Sequence, residues 1–223
     1  MKNNYQLIQD EMAATAIKCG RNPTEITLVA VTKQVNWPTA SILYDQGQRN
    51  FGENRVPDAL QKQIEAPPNC RWHFIGNLQN NKVRKAIGKF SLIHSVDSLE
   101  LAKKISEVSL EEGVVTPILL QANTSGEIAK NGLTSAQWKN CYSEILALKG
   151  ISVEGLMTMA PLTDNENIIR DCFGNLRKLR GELKSMADGQ VLLQHLSMGM
   201  SNDYKIAIEE GATLLRIGTA LFT

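Results

Sequence analysis

The sequence predicts a (β/α)8 barrel of the TIM type, preceded by one extra N-terminal helix, as a single domain over residues 1–223. Three observations carry this prediction. Eight short apolar runs alternate with helical stretches along the chain, the pattern of a parallel sheet with helical crossovers. The 223 residues approach the ~250 typical of such a barrel. The first strand is followed by Lys33-Gln34-Val35-Asn36, without the glycine-rich turn expected of the alternative, a doubly wound dinucleotide-binding sheet.

Residues 2–18 read as a helix with Leu7, Ile8, Met12 (or Ala13), Ala16 and Ile17 near one face, closed by Gly20 and Pro23. Thr27–Lys33 then reads as a strand buried on both faces. Pro38 starts a helix that Gly47 closes. Asn50-Phe51-Gly52 forms the second strand, and a helix follows to about Ile64, broken by Pro67-Pro68. Arg71–Gly76 and Ser91–Val96 read as strands, with a basic helix over 78–87 between them. Asp97 and Glu100 have capping-box spacing ahead of the helix carrying Leu99, Ala102, Ile105 and Val108. Pro117–Asn123, Ile151–Met157, Val191–Leu196 and Thr213–Ile217 complete the strands. The helices between them run over 134–148, 165–187 and 201–210.

The bulk numbers exclude several function classes. Net charge is +1, from 24 basic and 23 acidic side chains, so no field steers nucleic acid or an anionic membrane. No apolar run approaches the ~18 residues of a membrane span, and the start of the chain lacks the apolar region of a secretory signal. The four cysteines and three histidines are scattered, against a disulfide scaffold or zinc site. A reducing, cytoplasmic setting is the expectation.

In this fold, chemistry sits at the carboxyl ends of the strands. Lys33 ends the first strand and is the only charged residue between Glu25 and Asp45. It reads either as a lysine snorkelling to solvent or as a desolvated amine able to form a Schiff base. Glu53-Asn54 follows strand two. Ser197-Met198-Gly199-Met200-Ser201 follows strand seven and runs towards a helix, with Ser201 placed as its N-cap. Gly218 and Thr219 follow strand eight. Together these segments form an anion cradle where barrels commonly bind phosphate; taken singly, Gly199 and Gly218 read as turn glycines. Arg216 is the lone charge of the last strand and needs a partner, either an ion pair with Glu53 or Glu154 or a ligand. His73 reads as a core histidine or as one lining the mouth. A lysine, a phosphate cradle and a strand arginine together point to pyridoxal 5′-phosphate (PLP).

Six blocks sharpen the reading: Leu28–Lys33, Phe51–Asn54, Trp72–Lys82, Gly155–Met159, Leu196–Asp203 and Arg216–Phe222. In these blocks, which span nearly the whole chain, the sequence resembles the pyridoxal-phosphate homeostasis proteins of the YggS/PROSC type. The resemblance implies a barrel like the N-terminal domain of bacterial alanine racemase, with PLP held as an aldimine on Lys33. It places Ser197, Gly199, Ser201, Gly218 and Thr219 on the phosphate, Arg216 at the pyridine nitrogen and Asn54 in the pocket. Relatives often continue past the last phenylalanine, whereas this chain stops at Thr223.

The function expected is a PLP carrier or reservoir that influences amino-acid and 2-oxo-acid balance. It would act without catalysis, as a cytoplasmic monomer whose partners are the cofactor and PLP-dependent apoenzymes. The alternatives are an amino-acid racemase and a barrel that binds another phosphorylated molecule without covalency. Racemisation needs a base on each face of the cofactor. The four tyrosines fall in predicted helices or their starts, and only Tyr204 lies near the cradle. A cation at the ring nitrogen also keeps it unprotonated by charge repulsion, which weakens carbanion chemistry.

Overall fold

In a computed structural model, residues 2–127, 130–187 and 193–223 are described. The strands are β1 (Thr27–Val31), β2 (Asn50–Glu53), β3 (Arg71–Phe74), β4 (Leu92–Val96), β5 (Thr116–Gln121), β6 (Ile151–Met157), β7 (His195–Ser197) and β8 (Leu214–Ile217). They pair in chain order, all parallel, into a closed barrel. The ring is sealed by β1 against β8, with Thr27 opposite Leu214 and Ala30 opposite Ile217. Closure leaves no free sheet edge.

The helices are α1 (Lys2–Lys18), α2 (Trp37–Tyr44), α3 (Val56–Glu65), α4 (Val83–Ala86), α5 (Leu99–Glu111), α6 (Ser135–Leu146), α7 (Glu166–Met186), α8 (Tyr204–Glu209) and α9 (Thr219–Phe222). Side chains alternate across each strand, so the outward set meets the helices and the inward set fills the barrel. Outward, Phe51 stacks edge-on against Trp37 and tilts against Trp72, both at 5.5 Å between ring centres. Inward, Leu92, Leu119, Met157 and Leu214 form an apolar plug. Two residues further along their strands come His94, Gln121, Met159 and Arg216, so the plug gives way to a largely polar layer towards the carboxyl rim.

Several boundaries differ from the sequence reading, each for a local reason. On α1 the buried stripe is Tyr5, Ile8, Met12 and Ala16, with Leu7 and Ile17 exposed. Capping of α5 falls to Ser98, whose Oγ accepts from the Leu101 N–H at 3.2 Å; Asp97 lies one residue too early. Over 78–87 the chain makes a short 3-10 turn, Asn80–Lys82, and the four-residue α4 in place of one helix. The final helix α9 went unread because only four residues separate Gly218 from the last residue, Thr223. The start of the predicted strand over 191–196 lies outside the described residues. Among the described residues no helix is long and apolar enough to cross a membrane.

The extra helix α1 lies against α8 and α9. Arg21, just beyond it, donates to the carbonyls of Ile208 (2.7 Å) and Ala212 (2.8 Å), satisfying acceptors at the end of α8. Tyr204 on α8 donates to Glu11, and Lys205 pairs with the same carboxylate at 3.0 Å.

Candidate functional site

The inner face of β1 carries Val29 and Val31, which border Gly52 of β2, and Val31 also borders Gly218 after β8. The same alternation leads to Lys33 at the rim, in the first turn after the strand. Lys33 is exposed, so the structure offers an accessible amine there and not the desolvated one of the sharper sequence reading. The peptide just before it is held firmly. Thr32 N–H donates to the Gly52 carbonyl at 3.0 Å, and the Thr32 carbonyl accepts from Lys62 Nζ at 2.7 Å. Thr32 Oγ1 and Lys62 Nζ both donate to Glu53 Oε1 at 2.5 Å. Glu53 is fully buried, points outward from the barrel, and its Oε2 has no partner among the described residues. Lys62, on α3, carried no sequence signal. Its role depends on α3 lying over β1 and β2.

Asn54 sits half-buried at the end of β2. Its carbonyl is so close to Gly76 that a Cβ there would lie 2.2 Å from the oxygen, so Gly76 must be glycine for β3 to pass. Ser95 donates to the Gly76 carbonyl, tying β4 into the same corner.

Across the rim, residues 198–203 form a turn and not the first turn of a helix. Asp203 Oδ1 accepts from Met200 N–H at 2.5 Å, and α8 begins only at Tyr204. Ser201 is therefore not the N-cap expected. Its Oγ accepts from Ala220 N–H at 3.2 Å and so joins the turns after β7 and β8. Gly199 has φ +95°, and a Cβ on it would lie 2.5 Å from Ala207 Cβ, so this glycine is required by the turn and by the approach of α8. The N–H groups of Ser201, Asn202, Gly218 and Thr219 have no acceptor among the described residues. With α8 six residues long and α9 four, a cradle here rests on these individual donors and not on a long helix dipole.

Arg216 lies inside the barrel, 5% exposed. It pairs with neither Glu53 nor Glu154, the ionic partners weighed from sequence. It donates from one terminal nitrogen to Ser197 Oγ at 2.6 Å and from the other to the Thr158 carbonyl at 2.9 Å. Burial pushes the guanidinium down to about 10, partly offset by the Asp203 carboxylate, and it stays charged at neutral pH. Ser197 is fully buried with its hydroxyl engaged by Arg216, so its side chain faces the barrel interior, beneath the rim. Below it run His94 Nδ1 at 2.8 Å from Ser197 Oγ, His73 Nδ1 at 2.9 Å from His94 Nε2, and Asn50 Oδ1 at 3.1 Å from His73 Nε2. The sequence points to His73 but does not show its link to His94. The available signal was that both sit on inward positions of adjacent strands.

Burial holds both histidines neutral, with His195 and Arg71 adding repulsion at His73, and His73, Arg216 and His195 at His94. His73 is pushed down to about 4, and His94 lies well below its ordinary value. Below about pH 6.5 the unfolded chain takes up protons that the folded chain refuses, so stability falls as pH drops from there towards 4. For His73 the loss is roughly 3 kcal/mol at about 1.4 kcal/mol per pH unit. Urea unfolding at stepped pH should show it, and the double variant His73→Gln/His94→Gln should flatten that window. An equally steep slope in the double variant would refute the assignment.

Among the described residues the tyrosines bond elsewhere than at the rim: Tyr204 to Glu11 of α1, Tyr5 to Gln48 (3.4 Å) and Tyr44 to Asn69 (3.0 Å), while Tyr142 is buried on α6.

An accessible amine, backbone N–H groups without an acceptor among the described residues and a buried arginine stand at the carboxyl end of one barrel, the class of barrel able to hold an anionic small molecule. The family model described as "Alanine racemase, N-terminal domain" matches residues 3–223. A pyridoxal phosphate homeostasis protein of Aquifex aeolicus (strain VF5) is 40% identical over 206 residues, covering 92% of this chain and 90% of that protein. One from Escherichia coli (strain K12) is 33% identical over 224 residues, covering 99% and 94%. PipY of Synechococcus elongatus PCC7942, solved with PLP bound, superposes with a TM-score of 0.85 at 36% identity, over 97% of this chain and 100% of that one. The chain belongs to the pyridoxal phosphate homeostasis protein family. Alanine racemase of Clostridium difficile 630 shares the fold alone, at 16% identity and a TM-score of 0.76 over 56% of its length.

Proposed function

We propose that this chain binds PLP at the barrel mouth and serves as an intracellular carrier and reservoir of it, without catalytic turnover. The observation that carries the reading is the convergence of Lys33, the cradle donors and Arg216 on one rim. When bound, the cofactor supplies an aldehyde that condenses with amines and a ring that can delocalise charge. Lys33 Nζ is the nucleophile that reaches the aldehyde, and the Glu53–Lys62 pair fixes the peptide that carries it. The N–H groups of Ser201, Gly218 and Thr219 receive the phosphate, with Gly199 shaping the turn. Arg216 faces the pyridine nitrogen, supported from beneath by Ser197, and Asn54 lines the ring. These residues fit the group: the aldehyde has an amine to condense with, the phosphate a set of N–H donors, and the ring nitrogen a guanidinium.

Two features favour a carrier over a racemase. Arg216 opposes protonation of the ring nitrogen, and no tyrosine stands ready as a base on the second face. In the same reading the chain works as a cytoplasmic monomer and hands its cofactor to PLP-dependent apoenzymes. The test is direct. Protein mixed with PLP should turn yellow and, after borohydride, carry the cofactor mass on Lys33 by peptide mass spectrometry. A colourless product with no added mass would sink the proposal. Exchange of amino-acid α-protons, abolished in Lys33→Ala, would instead establish an enzyme.

A further inference from the structure

The chain of groups beneath Arg216 has a direction, and the direction follows from what each group can donate. A guanidinium is donor-only, so Ser197 Oγ must accept from Arg216. Ser197 is fully buried, and the acceptor in reach of its own hydrogen is His94 Nδ1 at 2.8 Å. With Nδ1 accepting, a neutral His94 carries its proton on Nε2 and donates to His73 Nδ1 at 2.9 Å. His73 then carries its proton on Nε2 and donates to Asn50 Oδ1 at 3.1 Å. Every group is satisfied in this sense. Reversed, Ser197 would receive two hydrogens and leave its own unplaced in a dry interior. His73 Nε2 would also face the Asn50 carbonyl oxygen lone pair to lone pair. Each such mismatch leaves a buried polar group without a partner, which folded proteins avoid.

The far end of the chain is anchored. Gln48, itself buried, donates to the backbone carbonyls of Asn50 (2.5 Å) and Leu28 (2.8 Å), fixing the stretch from which Asn50 projects. The two imidazoles cross edge to face, 78° between planes and 5.1 Å between centres, so each ring packs against the other. The hydrogen-bonded row thus crosses the barrel from β8 through β7, β4 and β3 to β2.

We propose that His73 and His94 are positioning residues for Arg216, a one-way row that offers the guanidinium an acceptor from below and keeps it turned to the mouth. Because its bonded partners are a hydroxyl and a carbonyl, no carboxylate in contact cancels the arginine's charge, and its field is spent on whatever lies above it. Cutting the row at His94 releases the Ser197 hydroxyl to rotate and lets Arg216 drift from the ring nitrogen. This inference rests on the PLP reading for its consequence but not for its geometry.

The test has two arms. In the ligand-free protein, 15N NMR of the imidazoles at neutral pH should show His73 and His94 neutral, both protonated on Nε2. Ser197→Ala, which removes the hydrogen donated to His94, should move the His94 signals towards the other tautomer. In the PLP-loaded protein, His94→Ala should shift the visible band and make it pH-dependent near neutrality. It should also speed cofactor loss by roughly 10-fold, by analogy with the loss caused by removing groups that orient metal ligands. His94→Gln, which keeps one donor and one acceptor, should restore part of both. A wild-type His94 protonated on Nδ1 would overturn the proposal. So would a folded His94→Ala protein whose band, pH response and release match wild type. If His94→Ala fails to fold, Ser197→Ala carries the same optical prediction. Failure of wild type to take up PLP would refute the functional reading and leave the NMR arm to decide this one.

Discussion

Lys33→Ala is expected to lose the yellow band, and one equivalent of PLP should no longer survive gel filtration. The fold itself should stand, because Lys33 is exposed and substitutions at such positions usually change stability by within about 0.5 kcal/mol. What disappears is linkage. A ligand at 100 times its Kd stabilises the folded state by about 2.7 kcal/mol, and urea unfolding with and without PLP should show that increment in wild type alone. Lys62 cannot substitute, because it is buried against Glu53. A Lys33→Ala protein that kept both the band and the increment would place the amine elsewhere.

The second large effect is expected at Lys62→Met. Methionine keeps the apolar stem but strips the cation from Glu53, which is fully buried and already has one oxygen without a partner among the described residues. Breaking a buried pair from one side costs about 3–5 kcal/mol, because the remaining charge is uncompensated. That is a large part of the 5–15 kcal/mol typical of a domain. Removing the charge as well, in Glu53→Gln/Lys62→Met, should recover much of the loss. The single variant should also weaken PLP retention, since the Thr32 carbonyl loses its donor and Lys33 its fixed base. A cost below about 1 kcal/mol for Lys62→Met would mean that Glu53 does not carry an uncompensated charge.

Period-two alternation and the strand–helix rhythm made the barrel readable from sequence, and with it the rim positions of Lys33, Asn54, Arg216, Gly218 and Thr219. Local chemistry was less readable. Sequence assigns both Ser197 and Ser201 to the phosphate cradle because both are small, polar and close to it. Their directions depend on whether the residue ends a strand or begins a turn, and one faces the barrel interior while the other bonds to Ala220. The His73–His94 contact needs the relative register of β3 and β4, which period alone does not supply, since it is set by His73 lying opposite Leu92. The register also shifts between Ile93 and Val96 on β4, and between Ile118 and Leu119 on β5. The Glu53–Lys62 pair is invisible to any strand pattern, because Lys62 reads as an ordinary helix-surface cation until α3 is laid over β1 and β2.

The anchoring of α1 to α8 has a consequence for how the molecule is made. Tyr204 and Glu11 are separated by 193 positions, and Arg21 and Ala212 by 191. The barrel closes by β1 meeting β8 over a comparable span, and Arg216, Gly218 and Thr219 arrive with that last strand. A chain emerging from the ribosome therefore presents the residues that hold its Lys33 peptide early and those of its cradle last. The groups that would grip the cofactor come together only as the ring shuts, so a nascent or truncated chain has an amine to offer and nothing with which to keep what it catches.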